Sequence, residues 1–534
     1  MPALPAHQAS TARGDRLGGD VLGAVLLGIG LWALAGALRK PIGLYDEGIP
    51  LTDAQLLLAG RVPFRDFYSN YPPGVFLLLA AAFRLLGTSV LVERGVGLVL
   101  HLGVAAAAGR VAGRLRGRPF DLLASGLVLL WLSRIGDTAY AWLAALAVAL
   151  AFSARWISSA QSPGGATFAA TGITLGAVSW FRHDLAAYLA LAVTAVLSAD
   201  LLLARWSGRS GAISRRSAAG LLLGALGAAA TFWSLWLWLA GPARILGDLV
   251  VEQARHVQPS RVLPLPPLFS LTRAEAISLR LPAFLADVFP AAVVLGLAGP
   301  PLALVAALLP RAARVPSPKL LLGLAALSLA VLPQLLGRTD LTHALYAVPP
   351  ALVLASLWVT GEGGPARRAV VALLLAAPPL LGLKELRVPS RPEAFPELSR
   401  ARGVPDDEAA ARRVVLAFVA SHTQPGEPIF VGAVDHRWIF VNEMDLYFLA
   451  DRPGGTRTMQ FDPGLTNRPD VQAQMASELE RSGTRVAVLS SRHNRSFEPN
   501  ASARPGSPDL DAYLRAHFSI AGVAGPYLLL LRTR

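Results

Sequence analysis

Apolar residues fill most of the first 383 positions in long blocks, separated by short stretches where arginine, aspartate, proline and glycine collect. Eleven blocks approach the helix length that crosses about 30 Å of hydrocarbon. They lie roughly at 20–38, 89–110, 120–134, 138–155, 166–181, 184–204, 218–240, 283–309, 319–336, 343–360 and 367–383. One further apolar stretch, Gly74 to Leu86, is shorter, follows two prolines and carries Arg84, so it reads as a juxtamembrane or re-entrant piece. After Lys384 the pattern changes to turn residues, charges and short periodic runs. These predict helices at about 406–421, 442–450, 469–482 and 509–516, and strands at about 428–433, 456–461, 485–490 and 526–532. The expected fold class is therefore mainly α: a polytopic membrane protein with about 11 transmembrane helices, followed by a small α/β extracytoplasmic domain. Residues 1–384 form the membrane part, with outer loops at 39–88 and 241–282, and residues 385–534 the soluble part.

Composition agrees. Of 534 residues, 53% are hydrophobic and 16% charged, a balance too apolar for a soluble protein. The net charge of +14 does not indicate a nucleic-acid partner, because the arginines are dispersed through short loops between apolar blocks. Their placement instead fixes a topology. With Arg13 and Arg16 inside, eleven crossings put three clusters inside as well: Arg110 to Arg118, Arg205 to Arg216, and Arg311 with Arg314. A twelve-crossing count moves the first two of these clusters to the opposite side. The eleven-crossing count also places four polar clusters and the C-terminal domain together outside. The clusters are Tyr45-Asp46-Glu47, Arg134 to Asp137, Arg182-His183-Asp184 and Arg338 to His343. The expected location is a bacterial inner membrane, with a cytoplasmic N-terminus. Cysteine is absent, which removes disulfides and thiol chemistry.

Adjacent carboxylates at the mouth of the first span are costly unless they meet water or a positive partner. Asp46 suits general-base work on a hydroxyl, and Asp46 with Glu47 suits a divalent cation (Mg or Mn). Arg182, His183, Arg338 and His343 offer positive charge to a departing phosphate. The plainer alternative is that Arg182/Asp184 and Arg338/Asp340 are ion pairs ending helices, and Arg134/Asp137 invites the same reading. The aromatics from Phe64 to Tyr71 belong to the interfacial belt or line a sugar site, and Trp233, Trp236 and Trp238 read as belt. Glu252 and His256 share a helix face, more in keeping with a solvated surface than a metal pair. Asp435-His436-Arg437 and Asn442-Glu443 read as surface polar residues. No P-loop, GxSxG or HExxH pattern occurs, which argues against an ATP-driven pump, an esterase-type hydrolase and a zincin.

The order of an N-terminal span, Asp46-Glu47, the amphipathic stretch from Leu57 to Phe67 and the Tyr71-Pro72-Pro73-Gly74 junction resembles the GT-C superfamily of membrane glycosyltransferases. The nearest pattern is that of dolichyl-phosphate-mannose-protein mannosyltransferase-like and lipid A aminoarabinose transferases. The resemblance is specific over 40–87 and architectural through 383. It implies a polyprenyl-phosphate-linked sugar taken from the bilayer and transferred with inversion at the outer face to an acceptor the sequence does not name. It also implies Asp46 as catalytic Asp, Glu47 as its partner carboxylate, and substrate-binding roles for Tyr45, Tyr71, Arg182, His183, Asp184, Arg338, Asp340 and His343. The chain lacks the family's His or Lys after Tyr71, so Arg338 or Arg182 has to meet the phosphate. Two other classes fit the same chain: a transporter or flippase of lipid-linked glycans, with ionisable groups near mid-membrane and paired half-helices, and a non-catalytic membrane scaffold, indifferent to loss of Asp46.

Overall fold

A computed structural model describes residues 6–208, 213–274, 278–310, 315–359, 365–383, 393–395, 397–492 and 505–533. Arg209, Arg311, Arg314 and the expected domain boundary at 384–385 lie outside the described residues. All eleven apolar blocks are helical. Eight of the helices are long and apolar enough to cross a membrane, among them Val90–Leu115, Ala141–Gln161, His183–Trp206 and Leu341–Val359. Leu122–Leu132, Gly165–Ala177 and Pro365–Leu381 are shorter. Together they make a multi-pass helical membrane protein. Helix starts fall where the sequence supplies a cap: Ser89, Asp121 and Ser214 each accept a hydrogen bond from a backbone N–H in the first turn. The Gly74–Leu86 helix is shorter than the spans. Its buried Leu79, Ala80 and Phe83 pack with Leu51, Phe395 and Phe448, so it lies against the C-terminal domain.

Inside a bilayer, apolar side chains gain little by leaving lipid, and close backbone approach through small residues holds helices together. Gly165–Ala177 and Arg215–Ala240 use two glycine pairs at a spacing of four, Gly172/Gly176 and Gly220/Gly224. A Cβ at Gly172 would sit 2.0 Å from the Leu221 carbonyl oxygen, and one at Gly224 would sit 2.1 Å from that of Ala169. The N-terminal helix meets Leu122–Leu132 in the same way, through Gly23 and Gly126.

The C-terminal domain is built on a four-stranded sheet in the order Ile429–Ala433, Val486–Ser490, Tyr527–Arg532, Phe518–Ala524. The first pair is parallel and the others antiparallel. Helices Ala409–His422, Asp445–Ala450, Pro469–Arg481 and Asp509–His517 match the predicted pattern. Three expectations fail. Residues 456–461 are not a strand. They are mostly buried against the first loop, where Tyr68 N–H donates to the Arg457 carbonyl and Gln460 donates to Asp53. Phe518–Ala524 is a strand the pattern did not signal, since the preceding helix runs into it with no intervening turn. Finally, His436, Asn442 and Glu443 are buried, not surface polar. His436 donates to Asp511 at 2.6 Å, Asn442 bridges the Val431 and Met459 carbonyls, and Glu443 belongs to a buried cluster around Arg412 with Asp406, Asp445 and Tyr527.

Gly224→Leu drives a side chain into the Ala169 carbonyl. We expect it to cost about 1–3 kcal/mol, as overpacking typically does, read as a lower melting temperature of the detergent-solubilised protein. Gly227→Leu, on the same helix with open space around its Cβ, is expected to leave the melting temperature unchanged.

Candidate active site

The first loop is set by one buried ion pair. Arg94, in the first turns of Val90–Leu115, donates through Nε to Glu47 Oε1 at 2.6 Å and through Nη2 to Oε2 at 3.0 Å. Its remaining N–H groups reach the carbonyls of Leu38, Lys40 and Pro41. Gly43 N–H donates to Glu47 Oε2 at 2.6 Å. Both side chains are almost wholly buried, with 2% and 4% of their surface exposed. Both oxygens of Glu47 are thus engaged in hydrogen bonds. No group of three or more His, Asp or Glu residues among those described is arranged to hold a metal.

Asp46 is the exposed residue in a run that is otherwise buried from Tyr45 to Pro50. No protein hydrogen bond engages its carboxylate among the described residues. Exposure here means access to a recess ringed by protein, not to open solvent. That confinement raises the Asp46 carboxyl above its ordinary range, against the pull of Arg261 and, more weakly, of His343 and Arg338; Asp340 adds to the rise. The surrounding charges are themselves positioned. Arg338 Nε and His343 Nδ1 each donate to Asp340 at 2.8 Å, and the His343 backbone N–H donates to it as well, starting Leu341–Val359. Burial raises the Asp340 carboxyl, but the hydrogen bonds and charge of His343, with Arg338 beyond, hold it at about 2. Arg338 also donates to the Arg261 carbonyl at 3.0 Å, and Arg261 pairs with Asp462 of the C-terminal domain at 2.6 Å.

The second arginine is enclosed. Arg182 lies 5.4 Å from the Tyr71 ring centroid and 5.8 Å from that of Tyr346, and its Nε donates to Asp184 at 2.8 Å. Gln334 and the Leu185 backbone N–H complete the bonds to Asp184. His183 turns away, bonded to the Leu249 carbonyl at 2.8 Å. Asp46, Tyr71, Tyr140, Trp142 and Arg182 line one small recess, which shares Trp142 and Arg182 with a second beside Gln334 and Tyr346. Tyr45 is buried with its hydroxyl unpaired.

All four polar clusters therefore meet at one end of the helical bundle, beneath the C-terminal domain. Asp137 joins them beside Arg94, Glu47 and Lys40, with its carboxyl pushed up to about 6, mainly by burial. Glu252 pairs with Arg468 at 2.6 Å, while His256 lies 4.0 Å away. Arg94, Arg261, Tyr140, Trp142 and Tyr346 were not anticipated. Only Arg94 carried a signal, as an arginine inside an apolar block.

No protein-family model and no curated protein matches the chain at a significant level. Solved structures do. ArnT from Cupriavidus metallidurans bound to undecaprenyl phosphate matches with TM-score 0.56 and 14% identity, covering 96% of this chain and 97% of that one. Its apo state matches with TM-score 0.51 and 13% identity, covering 95% and 97%. The archaeal oligosaccharyltransferase AglB from Archaeoglobus fulgidus, in complex with an inhibitory peptide and a dolichol-phosphate, matches with TM-score 0.51 and 12% identity, covering 95% of this chain and 74% of that one. The chain shares its fold with these membrane proteins along nearly its whole length.

Proposed function

We propose that this chain is an integral membrane glycosyltransferase that moves a hexosyl or pentosyl group from a polyprenyl-phosphate donor to an acceptor hydroxyl at the outer face of a bacterial inner membrane. The observation that carries this reading is Asp46: an unbonded carboxylate in a recess, its pKa raised by confinement, beside Arg261, Arg338 and His343. A base needs a free carboxylate and a leaving phosphate needs fixed cations, and here the two stand together. The lipid phosphates bound by ArnT and AglB support the donor class.

Asp46 takes the proton from the acceptor hydroxyl as its oxygen attacks the anomeric carbon. The bond from that carbon to the phosphate oxygen breaks with inversion, and both electrons leave with the lipid phosphate. Arg261, Arg338 and His343 meet its growing charge; guanidinium geometry suits phosphate oxygens. Arg182, committed to Asp184 and packed between Tyr71 and Tyr346, shapes the recess for the sugar. Glu47 acts as a positioning residue through Arg94. The described residues hold no group of three or more His, Asp or Glu arranged for a metal, and the step is written without one.

The protein in lipid, given a panel of polyprenyl-phosphate monosaccharides with candidate acceptors, is expected to release polyprenyl phosphate from one of them, read by mass spectrometry. Asp46→Asn lowers that rate by about 10²–10⁴-fold. Turnover equal in both proteins would sink Asp46 as the base. The wild-type kcat/KM profile falls on the acid side at a pH above the ordinary aspartate value of about 3.9, because a raised carboxyl stays protonated to higher pH. That limb disappears in Asp46→Asn. Arg94→Gln strands the buried Glu47 carboxylate and costs about 3–5 kcal/mol of stability, seen in thermal unfolding. Adding Glu47→Gln recovers part of the loss; strictly additive effects would refute the coupling.

A further inference from the structure

Far from Asp46, a groove of about 1130 Å³ runs between helices Val90–Leu115, Ala141–Gln161 and Gly165–Ala177. Arg94 and Trp142 mark the Asp46 end of the first two helices. Arg110 is sixteen residues beyond Arg94, about 24 Å along the axis at 1.5 Å per residue, so the groove ends at the opposite end of the bundle. Its upper walls are small: at Gly103, Ala107 and Ala151 no long side chain fills the space, and a Cβ built on Gly103 meets only Ala147 at 3.8 Å. Its lower end holds Arg110, Arg114 and Arg155 with no carboxylate in the lining. Arg114 is fixed by donating Nη1 to the Ala154 carbonyl and to Ser158 Oγ at 2.6 Å. Arg110 and Arg155 are exposed and make no hydrogen bond or ion pair among the described residues.

Three guanidinium groups converging without a counter-charge repel one another unless an anion sits among them. A free phosphate would answer the arginines and leave the apolar trough unused. A zwitterionic lipid would fill the trough and bring a cation to the arginines. An amphiphile with an anionic head answers both. We propose that this groove binds one anionic phospholipid, its phosphate held by Arg110, Arg114 and Arg155 and an acyl chain lying along Gly103, Ala107 and Ala151. Basic pockets between transmembrane helices recognise anionic head groups on these terms, and forked contacts favour arginine over lysine for phosphate. The proposal does not depend on the transferase reading, and its test needs no turnover.

The full chain, purified and delipidated in detergent, is titrated with phosphatidylglycerol, phosphatidylcholine or inorganic phosphate and followed by native mass spectrometry. One phosphatidylglycerol is expected to bind at least about tenfold more tightly than phosphatidylcholine. Arg110→Gln/Arg114→Gln/Arg155→Gln lowers that affinity by about fivefold per arginine, on the order of a hundredfold in all. Gly103→Leu fills the trough and lowers affinity with no change of charge. Arg205→Gln/Arg215→Gln/Arg216→Gln removes three charges from the same end of the bundle and leaves binding unchanged. Arg110→Gln alone changes an exposed, unbonded side chain and retains the test if the triple variant fails to fold. Three results overturn the proposal: equal loss in both arginine sets, which means general surface attraction; equal affinity for the two lipids; or inorganic phosphate binding with the same arginine dependence while Gly103→Leu has no effect, which makes the site one for a free anion.

Discussion

The bidentate pair between Arg94 and Glu47 is the constraint from which the site follows. A buried ion pair is tolerated only when the donors and acceptors left over are also satisfied. Here Arg94 spends its other N–H groups on the carbonyls of Leu38, Lys40 and Pro41, just past the end of the N-terminal helix. Those carbonyls have no helical partner, and the end of the helix carries partial negative charge, so a guanidinium there is favoured on both counts. One side chain thereby joins the first helix, the loop after it and the helix at Val90. Because Glu47 is locked inward, its neighbour Asp46 is left facing the recess.

The C-terminal domain closes the site over that loop with apolar packing and with polar contacts that set the register. Asp445 N–H donates to the Leu44 carbonyl, Thr52 donates to the Met444 carbonyl, and Arg457 donates to that of Phe64. Phe64 holds a left-handed φ of 67°, a conformation that requires support from outside the loop. Gly48 allows the approach: a Cβ there would lie 2.5 Å from Asp445 N. Polar groups buried at such an interface match one alignment and penalise others. The register between loop and domain is what brings Asp462 to Arg261, and Arg261 to Asp46.

Much of this was legible in the sequence, for identifiable reasons. Span-length apolar blocks have few alternatives, and the arginine-rich loops fixed which polar clusters share a face. That Asp46-Glu47, Arg182-His183-Asp184 and Arg338 to His343 converge was therefore foreseeable. The unlike roles of Asp46 and Glu47 were not, because adjacency says nothing about which carboxylate meets a cation; the partner, Arg94, lies in a block read as a plain span. Arg261 follows Pro259 in a stretch without periodicity, and only the fold brings it to the site. Tyr140, Trp142 and Tyr346 look like any interfacial aromatics in sequence. The segment 456–461 misled for a related reason: its Thr, Met and Phe side chains are buried against the first loop and not in a sheet, and burial of that kind leaves no period.

The two Arg-x-Asp units show how identical local sequence yields different chemistry. In Arg182-His183-Asp184 the loop closes on itself. Both carboxylate oxygens are bonded, Gln334 arrives from another helix, and two tyrosine rings cover the guanidinium. The Asp184 carboxylate in that unit is held on both oxygens, so the unit serves as a wall. In Arg338-Thr339-Asp340 the acceptor is shared with His343, and the arginine also anchors the Arg261 backbone. Asp340 thus gathers Arg338 and His343 near Asp46, with Arg338 holding the Arg261 backbone beside them, while its own charge resists ionisation of Asp46. The cations favour an anion in the recess; Asp340 and confinement keep Asp46 from being a weak, fully stabilised carboxylate. In the proposed transfer a base must stay reactive beside the charge that receives the leaving group, and this opposed arrangement suits both demands.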